Sequence, residues 1–430
     1  MRQKLRIKFW LIFFSGFLII TVKKNLSHDD QLTALPINLT CSPLVKDAKQ
    51  FYVELDGQIY PKIVPSFFNV SINFECLNSA QGQPKLILLW NEYGPWKDYK
   101  YGLGKYEPFI QRKCPVTNCE ITKDKSRLSE SDLVLVHMRS EYSKLPLDRP
   151  HKTRLVFLIT ESPIHSKEFH PELNGLFNLT ATFNQDSDYS PFYYSNIEFK
   201  WQLNEEFDQN KDFSQGKTKL AVILASNCKA HSKRIEYVNE MQKYSERIDI
   251  YGECGKSCNI PDENRFLSNK CREKLSKEYI FFLAFENSMC KDYITEKLYD
   301  TVLFDTVPVV YGHGPYDQVI PRSAYINALD FKTPKQLVDY LFYLESNKTA
   351  YNSYFKWKKY IKKTNNQYKT FCDMCIQLNL ENFFGIKKSQ VNDLETFWGH
   401  KKNCWAPPVI GKDGSFSFYP INYTHECLFC

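Results

Sequence analysis

The sequence predicts an α/β protein built from two doubly wound domains. Three observations carry that expectation. The chain has 430 residues, which at roughly 150 residues per domain leaves room for two or three cores. Short runs rich in Val, Ile and Leu alternate with polar segments long enough to cross over, the pattern of strands buried on both faces of a parallel sheet. A charged stretch at 204–219 (NEEFDQNKDFSQGKTK) divides those runs into two sets. At 43% hydrophobic and 24% charged residues, the chain is neither disordered nor a multi-span membrane protein. Its formal charge of +7 is spread along the chain without a basic stripe, so no nucleic acid partner is expected and a compact anionic ligand is weakly favoured.

Taken in order, the chain opens with Arg2, Lys4, Arg6 and Lys8, an uncharged run from Phe9 to Val22, and then Lys23 and Lys24. The run is short for a membrane span and has the length of a cleaved signal peptide's apolar core. No small-residue cleavage site follows, however, and the flanking lysines can snorkel to lengthen the effective span. Residues 1–8 therefore read as a cytoplasmic tail and 9–24 as an uncleaved signal anchor, oriented by the positive flank. Residues 25–83 read as a stem and leading segment. Glycosylation sequons at Asn38, Asn69, Asn178, Asn347 and Asn422 fit a luminal body, while that at Asn25 lies too near the membrane. In that compartment most of the 14 cysteines should form disulfides. Cys372-x-x-Cys375 and Cys427-x-x-Cys430 could form a zinc pair, but a gap of roughly fifty residues is no usual ribbon spacing.

Residues 84–203 form the first α/β domain, with expected strands at Lys85–Trp90, Asp132–His137 and Arg154–Thr160. After the 204–219 linker, residues 220–375 form the second. Its strands are expected at Leu220–Ala225, Ile248–Tyr251, Tyr279–Phe285 and Val307–Tyr311, and its helices at Ser232–Tyr244, Pro261–Lys277, Tyr293–Phe304 and Pro334–Leu344. Residues 376–430 remain as a cysteine-containing extension. Ligands of such folds bind at the carboxyl ends of the strands, which selects the residues to inspect.

After the strand at 279–285 come Glu286, Asn287 and Ser288, then a turn into a helix carrying Tyr293, Glu296 and Lys297 at i, i+3 and i+4 on one face. A lysine at a helix N-terminus is misplaced unless an anion is near, so this turn is a phosphate-site candidate against the plain alternative of a solvated lysine. Arg234 stands near the start of the helix after strand 220–225, with the same two readings. Glu161 ends the strand 154–160, where a carboxylate could act as a general base across a cleft or merely cap a turn. His165 is a weaker candidate in the same loop. Asp186-Ser187-Asp188 has an Asp-x-Asp spacing that could hold a metal, but it reads more simply as a turn.

The run from Phe281 to Gly312, FFLAFENSMCKDYITEKLYDTVLFDTVPVVYG, closely resembles the signature of the α-1,3-fucosyltransferases. Supporting segments stand in family order: LITESPIH at 158–165, FNLTATFNQDSDYSPF at 177–192 and ILASNCKAHSKRIEYVNEM at 223–241. The similarity covers roughly residues 84–375. It implies two Rossmann-like domains facing a cleft, the GT-B arrangement, in a type II Golgi membrane protein. By position it implies Glu161 as general base, and Arg234, Asn287, Tyr293, Glu296 and Lys297 as contacts to GDP-fucose. It also implies that Cys114 and Cys119 are bridged to Cys372 and Cys375, in an order left open. Cys290 resembles members acting on N-glycans in invertebrates and plants. Many members carry two arginines where Asn184 and Gln185 stand here, so acceptor preference does not transfer. The expected reaction is inverting transfer of L-fucose from GDP-β-L-fucose to a GlcNAc hydroxyl of an N-glycan or N-acetyllactosamine-type glycan. No metal cofactor is required, although a divalent cation could stimulate. An inactive glycan-binding relative would have lost Glu161 or Lys297, and a glycosidase would want a second carboxylate flanking the bond.

Overall fold

The computed structural model describes residues 82–419 apart from 93–97, 100, 141–143, 167–168, 190–198, 202–204, 261–269, 364–368 and 385–389, together with short pieces between 44 and 79. The expected tail and anchor, most of the stem, and Asn38, Asn69, Asn422, Cys427 and Cys430 lie outside the described residues. Among the described residues, no helix is long and apolar enough to cross a membrane.

Two separate parallel sheets form the centre. The first contains β1 (Lys85–Leu89), β2 (Gly104–Lys105), β3 (Cys119–Thr122), β4 (Leu133–His137), β5 (Arg154–Leu158) and β6 (Leu179–Ala181), in the spatial order β6-β5-β4-β1-β3-β2. Only the short edge strand β2 runs antiparallel. The second contains β7 (Lys219–Leu224), β8 (Ile248–Tyr251), β9 (Tyr279–Phe285), β10 (Val307–Tyr311) and β11 (Ile326–Asn327), all parallel in the order β8-β7-β9-β10-β11. The central strands are continuous apolar runs because helices cover both of their faces; every residue of β9, YIFFLAF, is buried. In the second sheet the strand order reverses at β7, between β8 and β9, and such a reversal opens a crevice at the carboxyl ends.

The helices of the second half include α1 (Arg234–Gln242), α2 (Lys270–Glu278), α3 (Glu296–Tyr299) and α4 (Pro334–Ser346). In α4 the Thr333 hydroxyl accepts from the Gln336 N–H, and Pro334 supplies a preset first turn. Its buried residues Leu337, Val338, Leu341 and Leu344 recur at helical spacing and join Tyr237, Val238 and Met241 of α1 in one core.

The C-terminal part corrects the expected division of the chain. Helix α5 (Lys369–Phe384) straddles the boundary drawn at 375, yet its side chains complete the core of the first sheet, not of the second. Phe371, Met374 and Leu378 pack with Ile87, Leu135 and Val156. A buried bidentate pair, Arg154 to Glu381 at 2.5 and 2.7 Å, fixes α5 to β5. Two disulfides, Cys114–Cys372 and Cys119–Cys375, fasten the same helix, and they set the order the sequence left open. A zinc role for Cys372 and Cys375 is thereby displaced. Beyond it, α6 (Leu394–Trp398) covers the other face of the first sheet, where Trp398 packs on Phe157 and Phe183. The chain then returns to the second sheet through Cys404, which is bridged to Cys290, and its last hairpin, Val409–Ile410 with Phe416–Ser417, lays Phe416 and Phe418 on the core around Tyr237 and Tyr311. The described part of the expected extension thus contributes to both cores.

Two sequons carry structural duties. The Asn178 amide oxygen accepts the Leu155 N–H at 3.0 Å, and Asn347 caps a short helix by accepting the Ala350 N–H at 3.0 Å.

Candidate active site

The two sheets meet at the carboxyl ends of β5 and β9. Ser162, after β5, and Ser288, after β9, share a buried hydrogen bond at 2.7 Å between their hydroxyls. This contact brings the loop Thr160–His165 beside the loop Glu286–Thr295.

The second-sheet side is built around Glu286. Its side chain is fully buried, and it accepts the Thr295 N–H at 2.8 Å and the Thr295 hydroxyl at 2.9 Å. The Lys297 ammonium lies 3.3 Å from Glu286 and 3.1 Å from Glu296, and donates to the Thr295 hydroxyl at 2.9 Å. Burial raises the Glu286 pKa above its ordinary value, although Lys297 opposes the shift. Burial also works against the Lys297 ammonium, but the Glu286 and Glu296 carboxylates outweigh it and hold its pKa above the ordinary lysine value. Glu296 loses part of its hydration, yet Lys297 keeps its pKa below the usual carboxylate range. The anion that a lysine here requires is therefore supplied partly by the protein itself. Glu286 was read from sequence only as the end of a strand; the signal that marks it is a carboxylate directly after seven apolar strand residues, where burial is expected and a partner is compulsory.

Arg234 lies at the first position of α1 and is 3% exposed. It donates to the Phe285 carbonyl at 2.9 Å and to the Asn227 carbonyl at 3.3 Å, while its Nε has no partner among the described residues. Burial lowers its pKa; the negative charges of Glu286, Glu296 and Glu161 raise it. Ser232 holds this corner to the strand end, with its N–H on the Asn287 carbonyl at 3.0 Å and its hydroxyl on the Glu286 carbonyl at 2.6 Å. Asn287 is half-buried, and its amide oxygen accepts from Ser288 at 3.1 Å.

Glu161 faces this cluster from the first sheet. Among the described residues its nearest cation is Arg139 at 3.7 Å, and its side chain is 31% exposed, so it remains open to solvent. Its charge acts on Arg234, Lys297 and His165, which places all four in one electrostatic neighbourhood. Burial lowers the His165 pKa, Glu161 opposes this, and the cations Arg139, Arg234 and Lys297 reinforce it, so the imidazole is neutral at pH 7.

Two expectations change. Helix α3 starts at Glu296, with Thr295 as its cap, so Tyr293 does not share a helix face with Glu296 and Lys297. The Tyr293 ring instead packs on Phe183 of the first sheet at 4.7 Å and is 2% exposed. Four residues are also too few for a substantial helix dipole, so the side chains of Arg234 and Lys297 carry the positive potential. Where two arginines are common, Asn184 donates to the Phe397 carbonyl at 2.9 Å and Gln185 to the Gln318 amide oxygen at 2.6 Å, so both side chains tie the loop after β6 to neighbouring helices. Asp188 accepts from the Thr180 N–H at 2.9 Å and hydroxyl at 3.0 Å, the geometry of a braced turn.

Comparison with known proteins accords with this arrangement. The sequence model of the fucosyltransferase N-terminal domain matches residues 82–194, and that of the glycosyltransferase family 10 (fucosyltransferase) C-terminal domain matches residues 214–397. Glycoprotein 3-alpha-L-fucosyltransferase A of Drosophila melanogaster is 36% identical over 347 residues, covering 78% of this chain and 64% of the relative. Alpha-(1,3)-fucosyltransferase C of the same organism is 32% identical over 340 residues, covering 73% of this chain and 77% of that protein. The chain thus spans somewhat under two thirds of the first relative's length. A crystal structure of an alpha1,3-fucosyltransferase with GDP-fucose aligns over 73% of this chain and 94% of that one, at 17% identity and a TM-score of 0.47. With both domain models matched in order and identity above 30% across most of a full relative, the chain belongs to the glycosyltransferase family 10 fucosyltransferases.

Proposed function

We propose that this chain is an inverting α-1,3-fucosyltransferase, moving L-fucose from GDP-β-L-fucose to a GlcNAc hydroxyl of an N-glycan or N-acetyllactosamine-type glycan. The observation that carries the reading is the placement of an accessible carboxylate, Glu161, opposite two cations, the buried Arg234 and the half-buried Lys297, across the junction of two parallel sheets. An acceptor hydroxyl between them would lose its proton to Glu161 while its oxygen attacks the anomeric carbon from the face opposite GDP. The bond to the diphosphate breaks as the new bond forms, so a β donor gives an α product. The negative charge that accumulates on the leaving diphosphate is met by Lys297 and Arg234, whose positions are set before substrate arrives. Asn287 and Glu296 would contact donor hydroxyls, and Tyr293 would wall the donor pocket where the sheets join.

Two cations placed at the diphosphate make a metal unnecessary to the reaction, and a divalent ion would stimulate only by screening released GDP. The proposed setting is the Golgi lumen, with the body held by the anchor at 9–24 as a single-pass type II protein. An inactive glycan-binding role is the second reading, and retention of both Glu161 and Lys297 disfavours it. Incubating the chain with GDP-fucose and a panel of N-glycan core and N-acetyllactosamine acceptors tests the proposal. Fucosylated product at one acceptor class is expected; GDP-fucose that stays intact with every acceptor would favour the inactive reading.

A further inference from the structure

Glu161 and Lys297 stand on loops of different sheets, so their spacing depends on what holds those loops together. The Ser162–Ser288 hydroxyl pair is one tie. A second runs through the C-terminal segment from Trp398 to Trp405. At its first end, Trp398 closes α6 and is buried. Its indole N–H donates to the Ser166 hydroxyl at 3.1 Å, and that hydroxyl donates to the Pro163 carbonyl at 2.8 Å. Ser166 directly follows His165 in the loop that carries Glu161. At the other end, residues 403–405 pair antiparallel with 289–291 of the donor-side loop. The Lys291 N–H donates to the Asn403 carbonyl at 2.7 Å, the Trp405 N–H donates to the Met289 carbonyl at 2.8 Å, and the Cys290–Cys404 disulfide locks the register between them.

Between its two ends the segment is braced. Helix α7 (His400–Asn403) lies against the turn Pro163–His165. The buried Asn403 amide donates to the Gly399 carbonyl at 2.9 Å and to the Thr396 carbonyl at 3.3 Å, and so joins the anchor at Cys404 to the helix that carries Trp398. Trp398, Cys404, Cys290 and Tyr293 share one core with Phe157 and Phe183 of the first sheet. Beyond Cys404, the Trp405 ring stacks on His313 at 4.0 Å, next to Gly312, where an added Cβ would stand 3.3 Å from the Glu286 Cγ. The segment thus touches the loops at the carboxyl ends of β5, β9 and β10. The position of the disulfide is also telling. Many positions could close a long loop and limit the unfolded chain, yet this bridge falls midway between Asn287 and Tyr293.

We propose that Trp398–Trp405 is a clasp that sets the spacing between the general-base loop and the donor loop, with Trp398, Asn403 and Cys404 as positioning residues for the transfer reaction. This rests on the reading of the chain as a fucosyltransferase. Each of the three acts through another residue. Trp398 holds the loop of Glu161, Cys404 holds the loop of Asn287 and Lys297, and Asn403 keeps the two anchors at a fixed separation. Rate is sensitive to that separation, because a misplacement of about 1 Å between reacting groups can cost about 100-fold.

The test is a double-mutant cycle on the full chain, assayed well below every variant's melting temperature, with GDP-binding stoichiometry counting the folded molecules. One arm is Trp398→Phe, which keeps a ring in the core and removes the N–H to Ser166. The other replaces both Cys290 and Cys404 with alanine. Each arm should lower kcat per folded molecule about tenfold. The combined variant should be little slower than either, since one broken anchor already opens the clasp. A disulfide and a tryptophan that serve stability alone would lower the melting temperature and leave kcat per folded molecule unchanged. A kcat within twofold of the unmodified chain in either arm, or losses that multiply, would overturn the proposal. Should the cysteine pair fail to fold, Asn403→Ala replaces that arm, because it leaves both anchors in place and removes only the amide between them. Hydrogen exchange gives a readout independent of turnover. Loss of the cysteine pair, or Asn403→Ala, should speed exchange at His165 and Ser166, whose N–H groups bond to the Ser162 and Pro163 carbonyls in the loop of the other sheet. Faster exchange confined to 286–293 and 398–405 would overturn the clasp. Absence of fucosyl transfer by the unmodified chain would strike instead at the fucosyltransferase reading, and hydrogen exchange would still decide whether the clasp joins the two loops.

Discussion

Replacing Lys297 with alanine removes a charge that serves two partners, so two effects are expected. Toward the donor, the loss is that of one charge-assisted hydrogen bond to a diphosphate, about 2–3 kcal/mol, or roughly 30- to 150-fold in GDP affinity. Toward the fold, it leaves Glu286 buried beside Glu296 without its counter-charge. Breaking a buried pair costs up to about 3–5 kcal/mol, but a carboxyl that can take up a proton lowers that cost. Because burial already raises the Glu286 pKa, and Lys297 is the charge that opposes the shift, the variant's Glu286 should titrate higher still. A carboxyl with a raised folded pKa stabilises the fold below its ordinary pKa and loses that contribution as pH rises through the folded value. The deficit in melting temperature should therefore grow as pH rises above the ordinary glutamate range. Lys297→Arg should keep most of the stability and part of the affinity. Calorimetric titration with GDP and thermal melts at several pH values read both effects. Unchanged GDP affinity in Lys297→Ala would remove the lysine from donor binding, and a pH-independent melting deficit would refute the account of Glu286.

Four further outcomes are expected. Glu161→Gln should lower turnover about 100-fold or more while leaving GDP affinity intact, since it removes a proton acceptor and keeps the shape; near-normal turnover would exclude Glu161 as the base. Chelation with EDTA should leave substantial activity in a fucosyl-transfer assay, whereas complete loss restored by Mn²⁺ would promote Asp186 and Asp188 to ligands. Peptide mapping without reduction should recover Cys114–Cys372 and Cys119–Cys375, and a Cys119→Ala, Cys375→Ala double variant should lose about 2–5 kcal/mol of stability by denaturant titration. Gly312→Ala would place a methyl 2.5 Å from the Tyr316 hydroxyl and against Glu286, so GDP affinity should fall through displacement of the Glu286–Lys297 pair; affinity equal to wild type would show that the pair tolerates the shift.

What the sequence made legible was local. The runs at 85–89, 133–137, 154–158, 219–224, 279–285 and 307–311 announce buried strands because both faces of each are covered, so no polar alternation interrupts them. Strand β3 (CEIT) and the three-residue β6 are too short and too polar to stand out by composition. The helix expected from Tyr293 begins only at Glu296, because Glu286 accepts the Thr295 N–H and leaves Thr295 to cap the helix, an arrangement set by a residue nine positions upstream. The boundary at 375 failed for a related reason. Helix α5 is apolar on several sides, and nothing in its own residues says which sheet it will cover; Glu381 and the cysteines decide that through partners more than 200 residues away. Candidate residues at strand ends could be chosen by rule, whereas the buried carboxylate that organises them depends on tertiary burial.

The placement of α5 has a consequence for biosynthesis. The first sheet has emitted its last strand by Ala181, but the helix that seals its core is not complete until Phe384, about 200 residues later. At roughly 5–20 residues per second of translation, that interval is on the order of 10–40 seconds. Throughout it, one apolar face of the sheet lacks its cover, and Cys114 and Cys119 lack their partners. The second sheet's strands, by contrast, all emerge between Lys219 and Asn327. Helices α1 and α4, which cover that sheet, are complete by Ser346, so the later half can assemble most of its core before α5 is made and then awaits only its C-terminal hairpin. A stop codon near residue 370 would spare every strand of both sheets and still leave the earlier one unable to close.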